Sequence, residues 1–254
     1  NKIEYTKKHG YDLYVETMTD VSNRKKKRKK KKVTTKDEDE NDDENDDEND
    51  DDEPWRHPAW GKLKIMEKYL SEPFHYDWVV WTDCDTFFMN MNLPIDIILT
   101  KTILGTDLLS TSSSTTFVSS TPESSASVDL IATEDGNMLN TGFFMMRSTK
   151  WSLGLIQDSY DAIHGAFADH PWWEQSSMFY LISNMCREER NTKIMYVNQE
   201  IVNPYPKEYS NSIHKHFVDD ASFVLAFSGC NTYVTKEKCN SLYTKYAEIA
   251  LRRR

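Results

Sequence analysis

The sequence has no run of about 18 apolar residues, the minimum for a helix that spans a bilayer, and no charged-then-apolar leader of the secretory kind. Nothing within these 254 residues is therefore expected to cross a membrane. The first residue is Asn rather than Met, and an anchor upstream of it stays open. There is no C-x-x-C pair among Cys84, Cys186, Cys230 and Cys239, which argues against a zinc ribbon. Cys230 and Cys239 are close enough in sequence for a short-range disulfide in an oxidising compartment, with free thiols as the alternative. No Asn-x-Ser/Thr sequon is present, so glycosylation says nothing about the compartment.

Net positive charge is also missing. The formal charge is −10, yet residues 24–36 carry 10 basic side chains and residues 37–53 carry 14 acidic ones. Outside that stretch the chain is mildly acidic, which argues against nucleic acid as a partner, because gripping a phosphate backbone needs clustered positive charge. Like-charge runs repel themselves and bury nothing, so residues 24–53 are expected to be a disordered insertion whose halves partly neutralise each other. A nuclear-localisation or histone-binding role for the lysine run ranks below that. The Ser/Thr-rich stretch 110–127 is expected to be a second insertion loop. The rest suffices for one α/β domain with a real core, taken as residues 1–254 around those two insertions.

Periodicity predicts a short charged helix over residues 1–9, stopped by Gly10, then a strand over 11–16 from its alternation. Leu63, Ile65, Met66 and Leu70 lie at helical spacing before Pro73, and residues 94–99 suit a short helix opened by proline. Residues 77–81 are apolar without alternation and rich in β-branched and aromatic types, as in a strand buried on both faces. Residues 128–132, 142–146, 194–197 and 222–227 also read as strands. Trp151, Leu155 and Ile156 mark a helix capped by Ser148 or Thr149. Residues 174–185 form another, and 236–254 a last one with basic residues at its C-terminus.

At the end of the 77–81 strand stands Trp81-Thr82-Asp83-Cys84-Asp85. In α/β sheets ligands gather outside the carboxyl ends of strands, so Asp-x-Asp here sets two hard oxygen ligands beside a substrate. Hard divalent cations take carboxylates together with substrate phosphates. The chemistry suggested is a metal bridging protein to a diphosphate. Three further segments have the texture of a site. Residues 137–142 read as a polar turn leading into a strand, with amides able to hydrogen-bond sugar hydroxyls. Residues 171–176 offer an exposed pair, Trp172 and Trp173, for stacking on sugar faces, with Glu174 and Gln175 facing a cleft from a helix start. Phe227-Ser228-Gly229-Cys230 puts a glycine where backbone can approach a ligand closely. Each has a bland counterpart, a turn or a helix terminus, and their order is what adds weight.

Taken in that order the segments resemble glycosyltransferase family 34, which includes fungal α-galactosyl- and α-mannosyltransferases and plant xyloglucan α-xylosyltransferases. The likeness runs from Asn1-Lys2-Ile3-Glu4-Tyr5 and His9-Gly10-Tyr11-Asp12-Leu13 through Pro58-Ala59-Trp60-Gly61-Lys62 to the Asp-x-Asp segment. It resumes at Leu139-Asn140-Thr141-Gly142-Phe143-Phe144, with Arg147 and Trp151-Ser152-Leu153, then Glu174-Gln175-Ser176. Asn198-Gln199, Asn203-Pro204-Tyr205-Pro206 and Phe227-Ser228-Gly229-Cys230 complete it.

The resemblance implies a GT-A type nucleotide-sugar-binding domain, a mixed central sheet flanked by helices, whose first strand would precede Asn1. It implies retaining transfer of a hexose or pentose from a UDP- or GDP-sugar to a glycan or glycoprotein acceptor, assisted by Mn²⁺ or Mg²⁺. The setting implied is the Golgi lumen, on a type II membrane anchor outside this chain, with homo- or hetero-oligomers among glycosyltransferases. By resemblance, Asp83 and Asp85 hold the metal, and Lys62, Asp83, Cys84, Asp85, Asn140, Thr141, Gly142 and Gly229 line the donor. Glu174 and Gln175 fall near the anomeric carbon, one of them beneath the oxocarbenium-like sugar, and no nucleophile is assigned.

The chain departs from the pattern at three places. Ala226 stands where relatives usually carry a His that completes the metal shell, and Asn231 where plant members tend to have a Lys facing the diphosphate. Trp173-Glu174 stands where plant members have an acid pair. His214 and His216 are the candidate substitutes for the lost ligand. These departures set up a second expectation: a catalytically weakened relative that binds donor or glycan and supports a partner enzyme.

Overall fold

A computed structural model of the chain describes residues 1–16, 56–71, 76–103, 128–162, 166–208, 214–219 and 221–253. The expected insertions, 24–53 and 110–127, lie outside the described residues. The elements in chain order are α1 (Lys2–His9), a 3-10 turn (Pro58–Trp60), α2 (Gly61–Leu70), β1 (Trp78–Thr82), β2 (Thr86–Phe88) and α3 (Ile95–Ile103). Then come β3 (Leu130–Glu134), β4 (Leu139–Arg147), α4 (Lys150–Asp161), α5 (Trp173–Asn184) and α6 (Arg187–Lys193). Strands β5 (Ile194–Val197) and β6 (Val224–Ala226) and helices α7 (Cys230–Tyr233) and α8 (Lys236–Arg252) complete the fold.

The main sheet has the order β1-β4-β3-β5. β4 is antiparallel to both β1 and β3, while β3 and β5 run parallel, so the sheet is mixed. β4 carries the core because its residues alternate between two apolar clusters. Phe143 and Met145 join Tyr5, Ile98, Val197 and Phe223 on one face, and Phe144 and Met146 join Leu63, Leu155, Met178 and Ile182 on the other. A strand covered on both faces has no reason to alternate apolar with polar, which is why its sequence reads as one apolar run. Helices α2, α4 and α5 cover the second face; α1, α3 and the antiparallel β2–β6 ribbon cover the first. α8 packs on the outside of that ribbon through Leu242, Tyr246 and Ala250.

Local rules set several boundaries. Gly10, at φ 75°, stops α1 in a left-handed cap, and Thr149 caps α4 by accepting from the Ser152 amide. The structure differs from expectation elsewhere. Residues 11–16 form no strand: Tyr11 donates to Asp96 at 2.5 Å, Tyr14 meets the Tyr76 hydroxyl at 2.6 Å, and Glu16 accepts from Tyr69 at 2.8 Å. Their alternation serves side-chain tethers rather than a ladder. β1 is covered on both faces, yet all five residues are only half-buried, because it is the sheet edge among the described residues. The polar turn sits at 135–138, where the Asp135 carboxylate accepts from the Asn137 and Met138 amides at 2.8 and 3.2 Å. Leu139 to Gly142 already lie inside β4. α6 buries no residue and so has no apolar stripe to read.

Cys230 and Cys239 form a disulfide that ties α7 to α8, with Cα atoms 5.8 Å apart. Cross-linking two cysteines 9 residues apart removes denatured-state entropy; by the loop-length relation this stabilises the fold by about 2–3 kcal/mol. Cys239→Ala is expected to lower the thermal midpoint by several degrees. The same variant in reductant, compared with reduced wild type, should then show almost no further difference.

Candidate functional site

Four elements converge on one ammonium group. Lys62, in the first turn of α2, is buried, and its Nζ lies 3.2 Å from Asp83 Oδ1 and 2.9 Å from Glu174 Oε1. It also donates to the carbonyl of Thr141 on β4 at 2.9 Å. The Thr141 hydroxyl donates to Glu174 at 3.0 Å, and the Trp81 indole N–H donates to Asp83 Oδ1 at 2.6 Å. Burial alone would push the Lys62 pKa down, but the Glu174 and Asp83 carboxylates outweigh it and hold the group above its ordinary value.

Asp83 is fixed by backbone as well: its amide donates to the Gly142 carbonyl at 2.8 Å. Gly142 has no side chain for a steric reason. A Cβ there would sit 3.0 Å from Asn140 Oδ1 and 3.5 Å from both Asp83 Oδ2 and Ser228 Oγ. Asn140 Oδ1 in turn accepts from the Gly142 amide at 2.8 Å and from Asn203 Nδ2 at 3.1 Å. The amide N–H₂ of Asn140 reaches Asp135 and Tyr205, which are bonded to each other at 2.9 Å. Asn203 sits at φ 65°, in the left-handed region that asparagine tolerates better than other non-glycine residues.

Asp85 is the opposite case. Its Oδ1 is buried with no hydrogen-bond partner among the described residues. Burial, then repulsion from Asp83, raises its pKa to about 6, with Lys62 and Lys2 pulling the other way. Lys2, from α1, donates to the carbonyls of Cys84 and Thr86 at 3.2 and 2.8 Å. Burial lowers its pKa against the pull of Cys84, Asp85 and Asp83. Cys84 itself is an exposed free thiol. Gly229 adopts φ 68°, and a Cβ on it would meet the Tyr233 ring at 3.1 Å. Two carboxylates one residue apart, one with an orphaned buried oxygen, are a donor set that fits a hard divalent cation.

The third ligand is another matter. The β2–β6 ladder sets Ala226 opposite Thr86, whose hydroxyl donates to the Asp83 carbonyl at 2.9 Å, and the Phe227 amide donates to the Asp85 carbonyl at 3.0 Å. Position 226 therefore does stand against the Asp-x-Asp turn, but it presents a fully buried methyl group. Neither candidate histidine substitutes for it. No three His, Cys, Asp or Glu side chains among the described residues are grouped to hold a metal. His214 Nδ1 accepts from the Gly136 amide at 3.4 Å, which leaves its Nε2–H for the Tyr233 hydroxyl at 3.3 Å. His216 lies in a β-bridge with Tyr205.

Glu174 and Gln175 both meet Thr141 but differ in exposure. Glu174 is buried behind Lys62 and faces no cleft, contrary to the expectation from sequence. Gln175 Oε1 accepts from the Thr141 amide at 3.2 Å. An amide N–H only donates, so the Gln175 oxygen is committed to Thr141 and its N–H₂ is what remains to offer a ligand. Residues that sequence reasoning missed are Lys2, Ser228 and Tyr243. Tyr243, on α8, packs on Phe227 with ring centroids 4.3 Å apart. Burial, then the charges of Asp85, Cys84 and Asp83, raises its pKa.

Removing one member of a buried pair strands the other, at about 3–5 kcal/mol. Lys62→Met is expected to lower stability by that amount in chemical denaturation. The double variant Lys62→Met/Glu174→Leu should recover most of the loss, and a double variant no more stable than the single one would refute a mutual pair.

Comparison with known proteins extends this picture. The model of the galactosyl transferase GMA12/MNN10 family matches residues 41–237. A curated protein of Schizosaccharomyces pombe (strain 972 / ATCC 24843), "Probable alpha-1,2-galactosyltransferase gmh1", is 26% identical over 210 residues, covering 75% of this chain and 58% of that protein. Another from the same organism, "Uncharacterized alpha-1,2-galactosyltransferase C637.06", is 21% identical over 247 residues, covering 91% and 62%. The chain thus spans about three-fifths of the length of these relatives. Among solved structures it is similar to the "crystal structure of a glycosyltransferase involved in the glycosylation of the major capsid of PBCV-1". That match has a TM-score of 0.51 and 13% identity, covers 95% of this chain and 87% of the other, and speaks for the fold alone.

Proposed function

The chain belongs to the galactosyl transferase GMA12/MNN10 family, and on that premise we propose that it is the catalytic part of a retaining glycosyltransferase. Its donor is a UDP- or GDP-hexose or -pentose and its acceptor a glycan or glycoprotein. The observation that carries the reading is the Asp83–Asp85 pair at the carboxyl end of β1, with a buried, unpartnered oxygen on Asp85. Asp83 and Asp85 would hold Mn²⁺ or Mg²⁺ against the donor diphosphate. A cation there supplies Lewis-acid stabilisation of the charge that develops on the leaving group.

The chain's own residues do the rest. Lys62 and Glu174 fix Asp83 from behind, Gly142 keeps the floor low, and Gly229 lets backbone approach the donor. Gln175 offers N–H donors at the side where the sugar would lie. The Cys230–Cys239 disulfide suits an oxidising compartment and so supports a Golgi-lumen setting. No helix among the described residues is long and apolar enough to cross a membrane.

The test is calorimetry of UDP and GDP with and without Mn²⁺ on the full-length protein. Binding is expected to need metal and to weaken about tenfold or more in Asp85→Ala. Because the cation needs ionised Asp85, protons compete with it. Affinity should be flat above a pH of about 6 and fall about tenfold per unit below it. Binding that ignores metal and pH in this range would sink the reading.

Ala226 favours a second reading, a weakened relative that binds donor or glycan and supports a partner enzyme. Ala226→His separates the two. A large gain in turnover means a degenerate site; no gain in a variant that still folds means the shell is complete without an imidazole. The variant carries its own cost, since adding volume at a fully buried position destabilises by about 1–3 kcal/mol. Turnover is therefore compared at a temperature where both proteins are folded.

A further inference from the structure

The two tryptophans ahead of Glu174 have separate fates. Trp173 lies flat on His57, ring centroids 3.7 Å apart and planes within 4°. Its backbone is at φ 39°, a conformation a bulky side chain rarely takes, and its amide donates to the His170 carbonyl at 2.9 Å. The stack and that bond hold the turn in place, and the turn leaves Trp172 43% exposed. Trp172 is not alone on the surface. His170 lies 5.6 Å from it, Phe167 is 6.0 Å beyond His170, and Tyr180, 42% exposed, is 5.4 Å beyond Phe167.

The protonation of His170 follows from its neighbours. The Trp172 amide donates to His170 Nδ1 at 3.2 Å, so Nδ1 is an acceptor and the neutral ring carries its proton on Nε2. The Ser176 hydroxyl, 2.6 Å from the same Nδ1, locks the ring from the helix side. The half-buried imidazole thus keeps an Nε2–H beside an exposed indole, three residues ahead of Gln175 in the chain.

We infer that Trp172 and His170 form an acceptor-glycan subsite, with Tyr180 extending it along α5. The inference rests on the glycosyltransferase reading and deepens it on the acceptor side. The negative face of an indole attracts the partly positive C–H groups on one face of a pyranose, while the His170 N–H takes a ring hydroxyl. A neutral polyhydroxylated chain needs this pairing of flat apolar surface with a fixed donor and needs no charge. The Ser176 hydroxyl on His170 Nδ1 ties this surface to the helix start that carries Gln175, which is what assigns it to the sugar that receives transfer.

The experiment is saturation-transfer NMR and calorimetry with α-mannotriose, galactotriose and xylotriose on the full-length protein, with UDP binding measured in parallel. At least one trisaccharide should bind the wild type. Trp172→Ala should weaken it about tenfold, the size of one ring-stacking contact, Trp172→Phe should keep most of it, and UDP binding should not move. His170→Ala should weaken the same sugar. Sugar binding unchanged in Trp172→Ala, no trisaccharide bound by the wild type, or a change in oligomeric state as the only effect would each overturn the subsite. If neither UDP nor GDP binds with or without Mn²⁺ but the Trp172-dependent sugar contact is present, the subsite stands and the transferase reading falls.

Discussion

The constraint on which this site depends is a lysine ammonium buried between two carboxylates. Moving such ions out of water costs several kcal/mol each, which is recovered only when geometry and extra hydrogen bonds are good. Lys62 meets that condition by touching Asp83, Glu174 and Thr141 at once. Helix α2, the end of β1, strand β4 and helix α5 therefore cannot shift independently without stranding a charge. Two carboxylates around one ammonium leave an excess of negative charge, and Asp85 adds to it while Lys2 offsets part. A site with that surplus and an orphaned carboxylate oxygen is poised for a cation rather than an anion.

Much of the architecture was legible because it rests on local signals. The apolar run of β4, the helical spacing of Leu63, Met66 and Leu70, and the glycine after α1 all announce themselves within a few residues. The Asp-x-Asp turn was legible for the same reason. What was hidden comes from contacts distant in sequence. Lys2 reaches the carbonyl of Thr86 across 84 positions, and Trp151 anchors Glu189 of the polar helix α6 at 2.8 Å. Neither leaves a periodic trace. Alternation over residues 11–16 misled because tyrosines used as hydrogen-bonding tethers look, in sequence, like the outward face of a strand.

Glu174 shows how a motif can point to the right place and the wrong role. Its neighbour Gln175 is partly open, whereas Glu174 is walled in, with one oxygen on Lys62 and Thr141 and the other without a partner. A carboxylate so placed cannot reach a sugar. What it holds is Lys62, which in turn contacts Asp83, so on the proposed reading any effect on chemistry would pass through the position of the Asp-x-Asp turn. Gln175, with its oxygen committed to Thr141, has only its N–H₂ left to offer a ligand. It is suited to a hydroxyl or a phosphate oxygen rather than to a developing cation.

The choice between an active enzyme and a weakened relative turns on what the chain keeps at a cost. Buried ion pairs contribute little to stability, and well-packed apolar residues in their place are often neutral or better. The positive φ of the bulky Trp173 is likewise an expense for the scaffold. A chain that had given up binding a donor would lose nothing by replacing Lys62 and Glu174 with apolar side chains, or by relaxing that turn. This chain has all of them, along with the unpartnered Asp85 oxygen and a carboxyl whose ionisation burial opposes. What the family pattern has and this chain lacks includes an imidazole at position 226 and a lysine at 231, and a hard cation accepts water or phosphate oxygen in place of an imidazole. The physical balance therefore favours the proposed donor site, in which Asp83 and Asp85 would hold the cation and the substrate would complete its shell.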